Sequence, residues 1–80
     1  MTSDELRKWQ QQQPFVPFEI VMVDGRVFEV PHPAFIWIPP GRGNWVYVAD
    51  DTGSADHINT AVISSVRKSN HEGRGRKKAG

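Results

Sequence analysis

The stretch that decides the fold runs Phe18-Glu19-Ile20-Val21-Met22-Val23-Asp24-Gly25-Arg26-Val27-Phe28-Glu29-Val30. Phe18, Ile20 and Met22 alternate with Glu19, Val21 and Val23, the period of two of a strand with one face on a core. Asp24-Gly25 is a hairpin turn signal. The phase of the side chains fixes the loop length. A two-residue loop would set Phe28 and Val30 opposite Val21 and Glu19. A three-residue loop, Val23-Asp24-Gly25, pairs Phe28 with Ile20 and Val30 with Phe18, and gives glycine the left-handed position of a bulged turn. A slip of one residue would carry the apolar set off the core face. The longer loop is therefore predicted, with the second strand over 26–30.

Upstream, Thr2 and Glu5 have the spacing of a capping box, and Asp4 with Glu5 suits the positive end of a helix dipole. Leu6 and Trp9 form a narrow apolar stripe, and Pro14 ends the helix. So short a helix does not hold alone, so Leu6, Trp9 and Phe15 are expected to dock it, with residues 10–13 facing water. Downstream, Pro31-His32-Pro33 interrupts pairing because neither proline donates to a ladder. Residues 34–38 read as a short apolar strand covered on both sides, and 39–44 as a turn. Residues 45–49 read as a strand with Trp45 and Tyr47 opposite Val46 and Val48. Residues 50–56 are a polar loop, 57–59 begin another strand, 60–63 make a tight turn, and 64–67 form the last strand. Five or six short strands with frequent turns predict a mainly β fold, a small barrel that leaves no exposed edge, with the helix over one open end.

The charge is uneven. Residues 1–66 carry four basic and eight acidic residues, and residues 67–80 carry six basic residues and one acidic, giving −4 and +5 in a chain of net +1. From Ser69 onward there is no core former, so residues 2–68 are read as the domain and 69–80 as a disordered basic tail. Cysteine is absent, which excludes disulfides, zinc-thiolate sites and thiol catalysis. No apolar run approaches the roughly 20 residues of a membrane span, and no signal-peptide core is visible, so no membrane association and a cytoplasmic location are expected.

Two resemblances follow from these motifs. Pro14-Phe15-Val16-Pro17-Phe18-Glu19-Ile20, Asp24-Gly25-Arg26-Val27-Phe28-Glu29-Val30 and His32-Pro33 are similar to a family of short, uncharacterised bacterial proteins. That likeness spans residues 2–66 and implies no activity. More loosely, the short helix, the strand ending in Asp24-Gly25, and Thr60-Ala61-Val62-Ile63-Ser64-Ser65-Val66 resemble the Sm-like barrels. That resemblance implies a five-stranded Sm/SH3-like barrel and an RNA-binding activity. The Tyr-Lys-His that precedes the last strand in the bacterial RNA chaperones of that class is absent here, and Asp56-His57-Ile58 offers one histidine near that place.

The chemistry-bearing residues each admit two readings. His32 is a base or ligand, or the cap of a kink between strands. His57 with Asp50, Asp51 and Asp56 is an oxygen-rich cation site, or part of a solvated hairpin loop. Gly41-Arg42-Gly43 lacks the lysine and helix of a phosphate-binding loop. No carboxylate pair or nucleophile–base pair has a convincing context, so no enzyme and no cofactor are expected. Trp37, Trp45 and Tyr47, with Arg42 nearby, form either a base-stacking or partner-binding surface, or packing under the helix or in a dimer contact. Arg67, Lys68, Arg74, Arg76, Lys77 and Lys78 are the candidate phosphate contacts of a nucleic-acid-binding tail whose Arg-Gly-Arg centre resembles a minor-groove A·T hook. The expected function is thus a non-enzymatic binding module, touching RNA or DNA through the tail. The alternative is a protein-interaction or self-associating subunit that uses an aromatic or strand-edge surface.

Overall fold

The computed structural model describes residues 1–41 and 43–69. Helix α1 (Ser3–Gln10) starts as the capping box requires: Thr2 Oγ1 accepts from the Glu5 amide, and Glu5 Oε1 accepts from the Thr2 amide. Strands β1 (Phe18–Met22) and β2 (Val27–Val30) form the hairpin in the predicted register, with Phe18 opposite Val30 and Ile20 opposite Phe28. The loop is Val23-Asp24-Gly25: the Met22 amide donates to the Arg26 carbonyl, the Gly25 amide donates to the Met22 carbonyl, and Gly25 sits at φ +93°.

After a 3-10 turn at Pro33–Phe35 come β3 (Ile36–Trp37), β4 (Trp45–Ala49) and β5 (Ala55–Asn59). A second 3-10 turn at Thr60–Val62 leads into β6 (Ile63–Lys68). The strands form two three-stranded antiparallel sheets, β2-β1-β6 and β3-β4-β5. This corrects the five-stranded barrel: the described residues form six strands, and their sheets do not close. Closure would need ladders along both pairs of sheet edges, one of them between the end of β2 and β3. Pro31 and Pro33 cannot donate to one, and the backbone at Pro33–Phe35 winds into the 3-10 turn instead. Only Ile36 and Trp37 are left to pair with β4, so the expected strand over 34–38 shrinks to two residues.

The sheets share one core. Leu6, Phe18, Ile20, Met22, Val30, Ile36, Val46, Val48, Ile58 and Ile63 are buried in it, with Trp9, Phe15, Phe28 and Val66 half-buried against it. Trp9 and Phe15 flank Phe18, with ring centroids 5.3 and 5.9 Å from it. The helix therefore docks through Leu6, Trp9 and Phe15 as expected, on the side of the core rather than over a barrel mouth. Gln10, expected to face water, is part-buried: its Nε2 donates to the carbonyls of Pro33 (3.2 Å) and Ile36 (3.0 Å). Arg7 donates to the Pro39 carbonyl at 2.7 Å. These bonds tie the helix to backbone carbonyls in and beside the short β3.

A bulge between β1 and β6 solves a phase problem. Ile63 and Val66 are an odd number of residues apart, yet Ile63 pairs with Met22 and Val66 with Ile20, both inward. The register shift at Val21/Met22 turns both toward the core. β6 also sets Arg67 opposite Glu19, a residue 4% exposed, and Arg67 Nε donates to Glu19 Oε1 at 2.8 Å. Beyond β6, the Ser69 amide donates to the Pro17 carbonyl (3.0 Å) and its hydroxyl to Glu29 (2.6 Å), so ordered contacts run one residue past the expected domain end.

Candidate functional site

Alternation along β4 determines what each sheet face carries. Val46 and Val48 are buried, so Trp45 and Tyr47 point the other way. Register then assembles a cross-strand row, since Trp37 lies opposite Tyr47 and Tyr47 opposite His57. Ring centroids are 6.1 Å apart for Trp37 and Tyr47, which are nearly stacked, and 5.2 Å for Tyr47 and His57. Trp45 joins the row edge-on, 5.1 Å from Tyr47, 4.8 Å from His57 and 5.7 Å from Trp37. Each spacing falls in the range of favourable aromatic pairs. Trp37 is 52% exposed and Tyr47 41%, while Trp45 is half-buried. The three predicted aromatics are thus together on an outer face. They do not pack under the helix, and β3 is open on one side.

A shallow apolar groove continues this face past Trp37 and Tyr47, lined by Ala34, Phe35, Ala49 and Ala55. Asp50 and Asp51 stand at the tip of the β4–β5 hairpin. Among the described residues of 36–59 there are three aspartates and no lysine or arginine. Arg42, expected beside these rings, lies outside the described residues.

His57 was the fourth ring that sequence reading missed, being grouped with aspartates instead. The signal was present: if Ile58 points inward, alternation sends His57 outward beside Tyr47. The cation-site reading is not supported, since no group of three or more histidines or carboxylates is placed to hold a metal among the described residues. Asp50 serves its own turn, where its carboxylate accepts from the Thr52 hydroxyl and from the Thr52 and Ser54 amides. The Thr52 hydroxyl above all, then these amides, hold its pKa below the ordinary aspartate range. His32 caps the first 3-10 turn, with Nδ1 accepting from the Ala34 amide at 3.3 Å.

The predicted phosphate contacts divide. Arg67 spends its charge on Glu19. Lys68 is exposed at the end of β6, opposite Phe18. Arg74, Arg76, Lys77 and Lys78 lie outside the described residues. No described helix is long and apolar enough to cross a membrane. No family model, curated protein or solved structure matches the chain, so the two resemblances rest on their motifs alone.

Proposed function

We propose that this chain is a non-enzymatic cytoplasmic interaction module that engages a protein partner through the outer face of β3, β4 and β5. The observation that carries the reading is the cross-strand row Trp37–Tyr47–His57, with Trp37 and Tyr47 about half exposed. Aromatic side chains offer large contact area at small entropy cost and dominate binding energies at interfaces. Core formation does not explain them, because Val46, Val48 and Ile58 fill the inner face of the same sheet. The test is a comparison of the wild-type chain with Trp37→Ala and Tyr47→Ala. Both variants should keep the wild-type melting temperature within a few degrees while weakening a purified partner's affinity by tenfold or more. Unchanged affinity in both would reject the face as the binding surface.

A second reading has its own support in the charge contrast of −4 on residues 1–66 and +5 on residues 67–80. The basic end of the chain would bind RNA or DNA through phosphates. Four or more phosphate contacts give a log–log salt slope of about −3 to −4. Fluorescence anisotropy with labelled single-stranded RNA and duplex DNA across a salt series tests this. Affinity independent of salt would exclude it.

A further inference from the structure

We infer that the free edge of β5 (Ala55–Asn59) pairs with the same edge of a second copy of this chain, antiparallel and about a twofold axis at His57. The inference concerns the edge of the sheet and does not rest on the reading of its aromatic face.

The direction of the backbone groups comes from the ladder. The Thr60 amide donates to the Asn44 carbonyl, and the Asp50 amide to the Ser54 carbonyl. Bonded pairs alternate along an antiparallel ladder, so Val46 with Ile58 and Val48 with Asp56 are the bonded pairs between those two. Ala55, His57 and Asn59 therefore turn their N–H and C=O groups away from β4. β5 ends the sheet, and no described residue accepts from those three amides. Four of the strand's five residues are exposed. Backbone groups along so open an edge are a template for another strand.

The other edges are short or guarded. β3 has two residues, β2 has four and runs into Pro31, and β6 carries Arg67 and Lys68. Shortness, proline and cationic side chains are the usual defences of an edge. β5 has no proline, lysine or arginine, and its ladder with β4 has no bulge. Its one charged residue, Asp56, sets the register.

Register also names the occupant. On a twofold axis at His57, Ala55 pairs with the partner's Asn59, Asp56 with the partner's Ile58, and His57 with the partner's His57. All five residues are then used, and no two like charges stand opposite each other. An axis at Asp56 would oppose two carboxylates, which is destabilising. An axis at Ile58 would run Asp56 into the partner's 3-10 turn, which starts at Thr60. One surface serves both copies, as a closed isologous dimer requires. The two three-stranded sheets become one. The outer rows Trp37–Tyr47–His57 then meet at the histidines, whose Cα atoms lie about 5.5 Å apart in such a pair.

The experiment follows the full chain by sedimentation equilibrium and amide hydrogen exchange across a concentration series. Dimers should form as concentration rises. The amides of Ala55, His57 and Asn59 should then exchange at least tenfold more slowly, and those of Asp56 and Ile58, already bonded to β4, should change less. Ala55→Pro removes an outward N–H and leaves the β4 ladder intact. His57→Lys sets two ammonium groups across the axis. Each should weaken dimerisation tenfold or more, and each monomer should melt within a few degrees of the wild-type monomer. If Ala55→Pro does not, His57→Lys, which leaves the backbone unchanged, decides. Trp37→Ala should leave dimerisation unchanged. A strict monomer at the highest concentration that NMR reaches would overturn the inference. So would a dimer untouched by His57→Lys, or an assembly larger than two. An extended peptide that protects the three amides while the chain itself stays monomeric would overturn the second copy as occupant. A dimer lost in Trp37→Ala and kept in His57→Lys would move the contact to the aromatic face. Trp37→Ala reports on the face and the two β5 variants on the edge, so the two readings fail separately.

Discussion

Glu19 and Arg67 are register partners across β1 and β6, and the guanidinium of an exposed arginine reaches a carboxylate that is almost wholly buried. The pair is asymmetric: one charge is in water and the other is not. Removing the arginine leaves a buried carboxylate with less compensation, which costs more than the contact itself is worth. Arg67→Met should therefore destabilise the fold by about 1–3 kcal/mol. Glu19→Gln in the same chain should recover part of that loss, because an amide is cheaper to bury than a carboxylate. Urea titrations of the single and double variants would measure it, and an Arg67→Met protein as stable as wild type would show that the pair contributes nothing.

Phe18 and Phe28 are both inward-facing but not equivalent. Phe18 is fully buried between Trp9 and Phe15, and Phe28 is half-buried with Arg26 over its ring, 5.6 Å from the centroid. Phe18→Ala should cost about 3–5 kcal/mol, enough to unfold a domain of this size. Phe28→Ala should cost clearly less and leave a folded protein. Circular dichroism melts would separate the two, and equal losses would contradict the difference in burial.

Gly25 holds φ +93° at the third position of the hairpin loop. Nothing lies within 4 Å of where a Cβ would stand, so the backbone alone resists substitution there. Gly25→Ala should cost about 1–2 kcal/mol, and Gly25→Asn less, since asparagine tolerates this region better. Chemical denaturation would show the order, and an alanine variant at least as stable as wild type would refute the left-handed turn.

Asp24 and Asp50 both titrate below the ordinary aspartate range. For Asp24 the first cause is the Arg26 amide, with the Arg26 guanidinium adding to it; for Asp50 it is the Thr52 hydroxyl. A depressed folded-state pKa means that the charged forms favour the two turns above the unfolded value, and that this contribution is lost as pH falls through the folded one. Carboxyl-carbon NMR titrations should give low midpoints for both. Thr52→Val should raise the Asp50 midpoint and leave that of Asp24 unchanged. An Asp50 midpoint in the ordinary range would break the account of the β4–β5 turn.

The sequence was most legible where local chemistry acts alone. The Thr2–Glu5 cap, the Val23-Asp24-Gly25 loop with its register, and the inward Val46 and Val48 of β4 all follow from spacing and phase. What could not be read depends on contacts distant in the chain. Gln10 looks like a surface residue until its amide meets carbonyls at Pro33 and Ile36. Residues 34–38 read as a strand because they are apolar, while the Pro33 and His32 caps turn half of them into a 3-10 helix. The bulge that brings both Ile63 and Val66 inward has no signature within β6 itself. Of the candidate site, Trp37, Trp45 and Tyr47 were named from composition and alternation; the phase that turns Val46 and Val48 inward turns Trp45 and Tyr47 outward, but Trp37 joins them only through its register opposite Tyr47, a contact between strands.

The two sheets differ in how they can be made. Strands β3, β4 and β5 are consecutive, so their sheet closes through short loops and can form as soon as residue 59 is available. The other sheet needs β6 against β1, with some 40 residues between them, and such a loop carries a closure cost of about 3 kcal/mol. The outer row Trp37–Tyr47–His57 thus belongs to the sheet built from short-range pairings, and the buried Glu19–Arg67 contact to the sheet that needs the long closure.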